Sequence, residues 1–182
     1  MRQLLLIALL AACSRPSQSP VHFCREEVSL DVRPGMLRVS ANYHFRNLTR
    51  QPVTALILYP FPLDSTHAWP DSIVIPGYGF QLADSGVTFL MRLRPNAEDS
   101  FRVFYRQPLH GSSARYIVTS TKHWKRPIDL ARFRVSVTPD LPGVRLNYQP
   151  DSATRSDSAL VFWFARQTFY PDEDVVVTWS AR

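Results

Sequence analysis

Leu37-Arg38-Val39-Ser40-Ala41-Asn42-Tyr43-His44-Phe45-Arg46 alternates apolar and polar residues without a break. Leu37, Val39, Ala41, Tyr43 and Phe45 fall on one side, and Arg38, Ser40, Asn42, His44 and Arg46 on the other. A helix brings apolar residues back every three to four positions, so this period of two is a half-buried strand. Upstream, Val28, Leu30 and Val32 alternate with Ser29 and Asp31, and Pro34-Gly35 turns the chain between the two stripes. Downstream, Asn47-Leu48-Thr49-Arg50-Gln51-Pro52 ends the stripe and Val53 to Tyr59 returns as an apolar strand. The two strands on either side of that turn are expected to pair antiparallel.

The same pattern recurs along the chain. Ile73-Val74-Ile75 lies between Pro70 and Pro76, and Val87, Phe89, Met91 and Leu93 form a further stripe. Phe101, Val103 and Tyr105 follow the turn Arg94-Pro95-Asn96, then come Tyr116 to Thr121 and the stripe Ala131, Phe133, Val135, Val137. Leu160 to Phe164 and Val175 to Trp179 are apolar at both parities, which predicts strands covered on two sides. Asp151 to Ser158 is the most polar stretch and predicts an exposed loop. Most of the 15 prolines lie between stripes, leaving no room for a long helix. These features predict an all-β protein, an antiparallel β-sandwich of general immunoglobulin-like architecture.

The first residues belong to a different pattern. Arg2 precedes the apolar run Leu4-Leu5-Leu6-Ile7-Ala8-Leu9-Leu10, and the small residues Ala11 and Ala12 follow. The run is far below the about 20 residues needed to cross a bilayer, so a secretory signal is expected over 1–12. Leu10-Ala11-Ala12-Cys13 resembles the lipobox of bacterial lipoproteins. That resemblance implies cleavage before Cys13 and a diacylglyceryl group on its sulfur, with a palmitate-type acyl chain on the new amino terminus. Ser14 stands where an Asp would imply retention in the inner membrane. The expected location is therefore the outer membrane, on its periplasmic face. Residues 13–20 form the lipidated cysteine and a Ser/Pro tether, about 20 Å long when extended. Residues 21–182 are expected to form one sandwich domain.

Tyr43-His44-Phe45-Arg46-Asn47 followed by Tyr59-Pro60-Phe61-Pro62 is also similar to the opening of secreted β-sandwich domains of Gram-negative bacteria. The likeness covers about twenty residues and implies a fold and a compartment, with no activity attached.

The whole chain carries a formal +6, and loss of Arg2 with the signal (20 basic against 15 acidic residues) leaves +5. Its cations are arginines except Lys122 and Lys125, and their placement at polar parities reads as outward strand faces. In an envelope the basic balance suits phosphate-bearing lipid headgroups or an anionic glycolipid rather than nucleic acid. If Cys13 is lipidated, Cys24 is the one remaining thiol and no intrachain disulfide forms; Val21 and Phe23 beside it predict burial.

Catalytic patterns are scarce. There is no GxSxG, no HExxH and no glycine-rich phosphate loop among 6 glycines. His22, His44, His67, His110 and His123 are scattered singly, with no metal-ligand spacing and no cysteine joining them. His110-Gly111-Ser112-Ser113 reads as a turn. Asp172-Glu173-Asp174 reads as a solvated turn rather than a calcium loop. Asn47-Leu48-Thr49 matches a glycosylation sequon by coincidence. No motif asks for a cofactor or a metal.

Two clusters stand out as candidate surfaces. Lys122-His123-Trp124-Lys125-Arg126 gathers cations, an imidazole and an indole on one connection. It could meet an anionic headgroup or a membrane surface, or Trp124 could plug the end of the sandwich. Tyr59, Phe61, His67 and Trp69 surround a proline-broken connection that could be a protein-binding lip or a loop folded over the core. The leading expectation is a non-catalytic binding or structural module on a lipid anchor, with an envelope protein or glycolipid as partner. The alternatives are an envelope hydrolase whose site is assembled from distant strands, and an accessory subunit of an envelope complex.

Overall fold

The computed structural model describes residues 19–180. The expected signal segment, the lipidation expected at Cys13 and the expected tether as far as residue 18 lie outside the described residues. In chain order the strands are β1 (Val21–Arg33), β2 (Met36–Asn47), β3 (Val53–Pro60), β4 (Ser72–Val74), β5 (Gln81–Ala83), β6 (Gly86–Leu93) and β7 (Glu98–Pro108). They continue as β8 (Ser113–Tyr116), β9 (Ile128–Val137), β10 (Arg145–Leu146), β11 (Ser152–Arg155), β12 (Leu160–Phe169) and β13 (Val175–Thr178). A six-residue 3-10 turn, Thr119–Trp124, is the helical segment among the described residues. The fold is all-β.

One large sheet, in the order β11-β12-β9-β1-β2-β7-β4, faces two small ones, β10-β13-β8 and β3-β6-β5. Its spine is the β1–β2 hairpin. Pro34 supplies a fixed φ and Gly35 the left-handed position (φ +69) that lets Arg33 face Met36 across a two-residue turn. The alternation then sorts the side chains as the sequence predicts: Leu37, Val39, Ala41, Tyr43 and Phe45 are buried, with Arg38, Ser40 and Arg46 exposed.

The three sheets share one core. Phe45 stacks on Phe23 at 4.6 Å and on Phe101 at 5.6 Å between ring centroids. At the centre the Tyr43 hydroxyl of β2 donates to that of Tyr59 in β3 at 2.8 Å. It also lies 2.5 Å from the Tyr116 hydroxyl of β8. A hydroxyl carries one proton, so Tyr116 donates to Tyr43 in turn. One residue thereby joins all three sheets.

Four expectations are corrected. First, β2 and β3 do not pair: β2 lies between β1 and β7, and β3 pairs with β6 in a different sheet. The turn between them is a corner held by Asn47, which is fully buried. Its Nδ2 donates to the carbonyls of Gln51 (2.7 Å) and Arg94 (3.1 Å), while its Oδ1 accepts from Thr49 N (2.9 Å) and Thr49 Oγ1 (2.8 Å). Second, the large sheet is not wholly antiparallel, because β1 and β9 run parallel from Arg25↔Leu130 to Val32↔Val137. Third, the polar stretch around Asp151 is not a loop throughout. Ser152–Arg155 pairs with β12 as an edge strand with every residue exposed, which guards a sheet edge against further pairing. Fourth, Tyr116 to Thr121 is not a strand: β8 ends at Tyr116, and a 3-10 turn starts at Thr119, where Asp174 Oδ1 accepts from Val118 N and Thr119 N in place of a ladder partner.

Candidate functional site

Each outward face carries its own chemistry. On the large sheet the outward arginines are mostly held by acids: Arg46 by Glu98 (3.0 Å), Arg106 by Asp71 (2.7 Å), Arg132 by Glu27 (3.2 Å). A shallow depression of about 420 Å³ between Asn42, Arg102, Phe104, Arg132, Arg134 and Trp163 is open to solvent along its length. The β3–β6 face is different. Leu56 sits directly opposite Leu90, and the two are 67% and 56% exposed; Leu58, two residues on, is 52% exposed.

That leucine face continues into a groove of about 710 Å³ whose walls include Val53, Ala55, Leu56, Leu58, Trp124 and Lys125. Ser19 and Pro20, the last residues of the expected tether, line it as well. The basic connection expected at Lys122–Arg126 forms the other wall, and its local structure explains how. Asp174 Oδ1 accepts from Val118 N (3.1 Å), Thr119 N (3.2 Å) and Thr119 Oγ1 (2.8 Å), which caps the 3-10 turn. Lys125 closes the turn in the left-handed region (φ 56). Lys122 turns away from the groove, donating to Asp172 at 2.8 Å and lying 5.7 Å over the Tyr170 ring. Trp124 packs on Phe45 at 5.2 Å between centroids, so its indole both closes the end of the sandwich and walls the groove. His123 and Lys125 are exposed at the rim. Arg126 is half-buried and engaged elsewhere. Asp172 and Asp174, read from sequence as a solvated turn, are what hold this connection in place.

The lip expected of Tyr59, Phe61, His67 and Trp69 is not a surface. Tyr59, Phe61 and His67 are buried and only Trp69 reaches solvent. Tyr59 and Phe61 pack edge-to-face at 5.6 Å, and Phe61 meets Trp69 at 5.7 Å. β3 ends at Pro60, and Pro62 follows, but the aromatics turn inward rather than out. His67 Nδ1 bonds Asp64 Oδ1 at 2.8 Å, while Arg115 donates to the other Asp64 oxygen at 2.8 Å. The His67 hydrogen bond is the main cause holding the Asp64 carboxyl down at about 2.

Two clusters escaped the sequence reading. Glu26 is 1% exposed among the tyrosines, opposite Tyr43 across the hairpin, and its Oε1 has no hydrogen-bond partner. Burial pushes its carboxyl up to about 8 and drives the Tyr43, Tyr59 and Tyr116 hydroxyls upward as well. These are the perturbed groups an enzyme would display, but no substrate reaches a carboxyl sealed in a core. The parity of Val28, Leu30 and Val32 was the signal available: it puts Glu26 inward.

The second cluster lies at the start of β1. The β1–β2 register skips between Phe23 and Arg25, making Cys24 a bulge residue. Cys24 is buried, as expected, and burial pushes its thiol up to about 11, so it is no activated nucleophile. His22 Nε2 lies 2.9 Å from Asp129 Oδ1. Contrary to the sequence reading, a cysteine does join a histidine here: potential ligand atoms of His22, Cys24 and Asp129 all fall within 4.8 Å of one another.

The class defined by these features is a β-sandwich domain with an apolar, cation-rimmed groove at one end. Comparison by structure agrees on the fold. A candidate nutrient-binding protein from Legionella pneumophila superposes with a TM-score of 0.62 at 16% identity, covering 88% of this chain and 67% of its own. An M1 zinc metallopeptidase from Deinococcus radiodurans gives 0.52 at 11% identity, and a two-domain M1 zinc metallopeptidase bound to L-arginine gives 0.54 at 11%. This chain spans 43% of each peptidase. By sequence, the chain matches no known protein family, and no curated protein is significantly similar to it.

Proposed function

We propose that this chain is a non-catalytic binding module of the bacterial envelope, tethered through lipid on Cys13, whose groove rests on the membrane surface beside its own anchor. The observation that carries the reading is the groove itself, lined by Leu56, Leu58, Trp124 and Lys125 and by the residues where the tether joins. A tether of about 20 Å keeps the domain at the bilayer, where exposed leucines gain by entering the headgroup boundary. Trp124 and Lys125 suit the same boundary, an indole for the interface and an ammonium for anionic headgroups. The Legionella protein's assignment to nutrient binding supports a binding module of this fold in general terms.

An envelope hydrolase would need an acid and a base facing its substrate. Among the groove's lining residues the titratable side chains are His123 and Lys125, with no carboxylate.

The test separates anchor from groove. The full chain carrying Cys13→Ser is expected to wash off membranes at high salt, where the lipidated parent stays bound, yet still sediment at low salt with anionic phosphatidylglycerol vesicles. Leu56→Ser with Leu58→Ser should weaken that sedimentation about tenfold or more, since each removes an exposed side chain of roughly 1.5–3 kcal/mol transfer value. Lys125→Ser should weaken it mainly at low salt. Vesicle binding unchanged by the leucine substitutions rejects the groove as a membrane contact. If instead a specific envelope protein were retained through Leu56 and Leu58 with no vesicle binding, the domain would be an accessory subunit.

A further inference from the structure

We infer that His22, Cys24 and Asp129 form a metal site for a borderline divalent cation, Zn²⁺ by ligand type. The three groups come from two neighbouring strands, and the β-bulge is what assembles them. Cys24 is the extra residue between Phe23, opposite Phe45, and Arg25, opposite His44. Parallel pairing of β1 with β9 begins at Arg25↔Leu130, which sets Asp129 alongside the bulge.

The donor set is an imidazole nitrogen, a sulfur and a carboxylate oxygen, each an established zinc ligand type. A thiolate disfavours Mg²⁺ and Ca²⁺, which take oxygen ligands. Tetrahedral zinc places its ligand atoms about 3.5 Å apart. A spread within 4.8 Å, containing one contact of 2.9 Å, therefore closes with small side-chain rotations. The burial is graded: Cys24 is 5% exposed, the His22 side chain 13% and that of Asp129 61%. Sulfur thus forms the floor and the carboxylate the mouth, with a fourth position left toward solvent. In the metal-free arrangement the Asp129 carboxylate holds the ring proton on Nε2; a metal taken between Nε2 and Asp129 moves that proton to Nδ1, which no other group engages, and frees the Nε2 lone pair. Arg46, opposite His22 across the hairpin, is held by Glu98 at 3.0 Å, which offsets its repulsion of a metal.

Cobalt tests the site, because a Co²⁺–thiolate bond has a charge-transfer absorption that nitrogen and oxygen ligands lack. The probe is Co²⁺ added to the untagged full chain carrying Cys13→Ser, reduced and in detergent, in which Cys24 is the one thiol. The expected result is one equivalent bound, a thiolate charge-transfer band, and its loss when Zn²⁺ is added. Cys24→Ser should abolish the band, and His22→Ala and Asp129→Asn should each weaken binding about tenfold or more. Asp129 is exposed, so its variant keeps the fold and the test survives if another variant does not. Absence of the band in excess Co²⁺ overturns the assignment. A band that Asp129→Asn and His22→Ala both leave unchanged overturns it too, for the thiol would then be binding cobalt alone.

Discussion

Glu26 and Cys24 stand two residues apart on β1, and their surroundings could hardly differ more. Glu26 points into the core among three tyrosines, and nothing outside the protein can touch it. Cys24 opens, through His22 and Asp129, toward solvent on the opposite face of the sheet. Both carry strongly shifted titrations, and both are shifted first by loss of water. The pair teaches that a displaced pKa reports desolvation, and that access decides whether the displaced group can serve as a site. The physical switch between the two settings is one extra residue in a strand.

The sealed side should dominate stability. Glu26 titrates near 4.5 when unfolded and near 8 when folded. Below the lower value both states hold the proton and the residue is neutral to stability. As pH rises between the two values, only the unfolded state ionises, and each unit costs about 1.4 kcal/mol. The loss is complete near pH 8, at roughly 5 kcal/mol. Glu26→Gln keeps the shape without the ionisation, so at pH 8 it should be more stable than the parent by several kcal/mol. At pH 4.5 the two should nearly coincide in urea unfolding. Parallel pH profiles would falsify the placement of an uncompensated carboxyl in the core.

A smaller effect is expected where the three sheets meet. Tyr43→Phe removes the hydroxyl shared by Tyr59 and Tyr116 and should cost about 2 kcal/mol, because two buried hydroxyls lose a partner. Tyr116→Phe on top of it should cost little more, since the bond it would break is already gone. Additive losses in that double-mutant cycle would mean that the hydroxyls do not act together.

How far the sequence revealed these features depended on distance along the chain. The alternation of β2 is local and was legible residue by residue. The corner at Asn47 was not, because Asn-Leu-Thr reads as an ordinary hairpin turn. What sends the chain into another sheet is the Asn47 amide reaching the Arg94 carbonyl, 47 residues on. Strand β11 was invisible for the opposite reason: an edge strand with both faces in water has no apolar period to read. The basic connection at Lys122–Arg126 was legible as a cluster. The groove was not, since its other wall is the outward side of β3, read only as an apolar strand. His22 and Asp129 are separated by 107 positions, and no spacing rule reaches that far.

The smallest expected effect discriminates most sharply between the two sides of β1. Deleting Cys24 leaves Phe23 opposite Phe45 and brings Arg25 into ordinary succession opposite His44, with Glu26 still opposite Tyr43. Val21, Phe23 and Glu26 all keep their inward positions, so the core does not need the bulge. The deletion should therefore cost only about 1 kcal/mol, the scale of one lost small side chain and its local adjustment, and circular dichroism should be unchanged. It should at the same time abolish the cobalt–thiolate signal. A domain that stays folded while losing the signal would mean that the extra residue serves the outward cluster. A domain that unfolds would mean that the bulge is demanded by packing, and that the three ligand types meet there as its by-product.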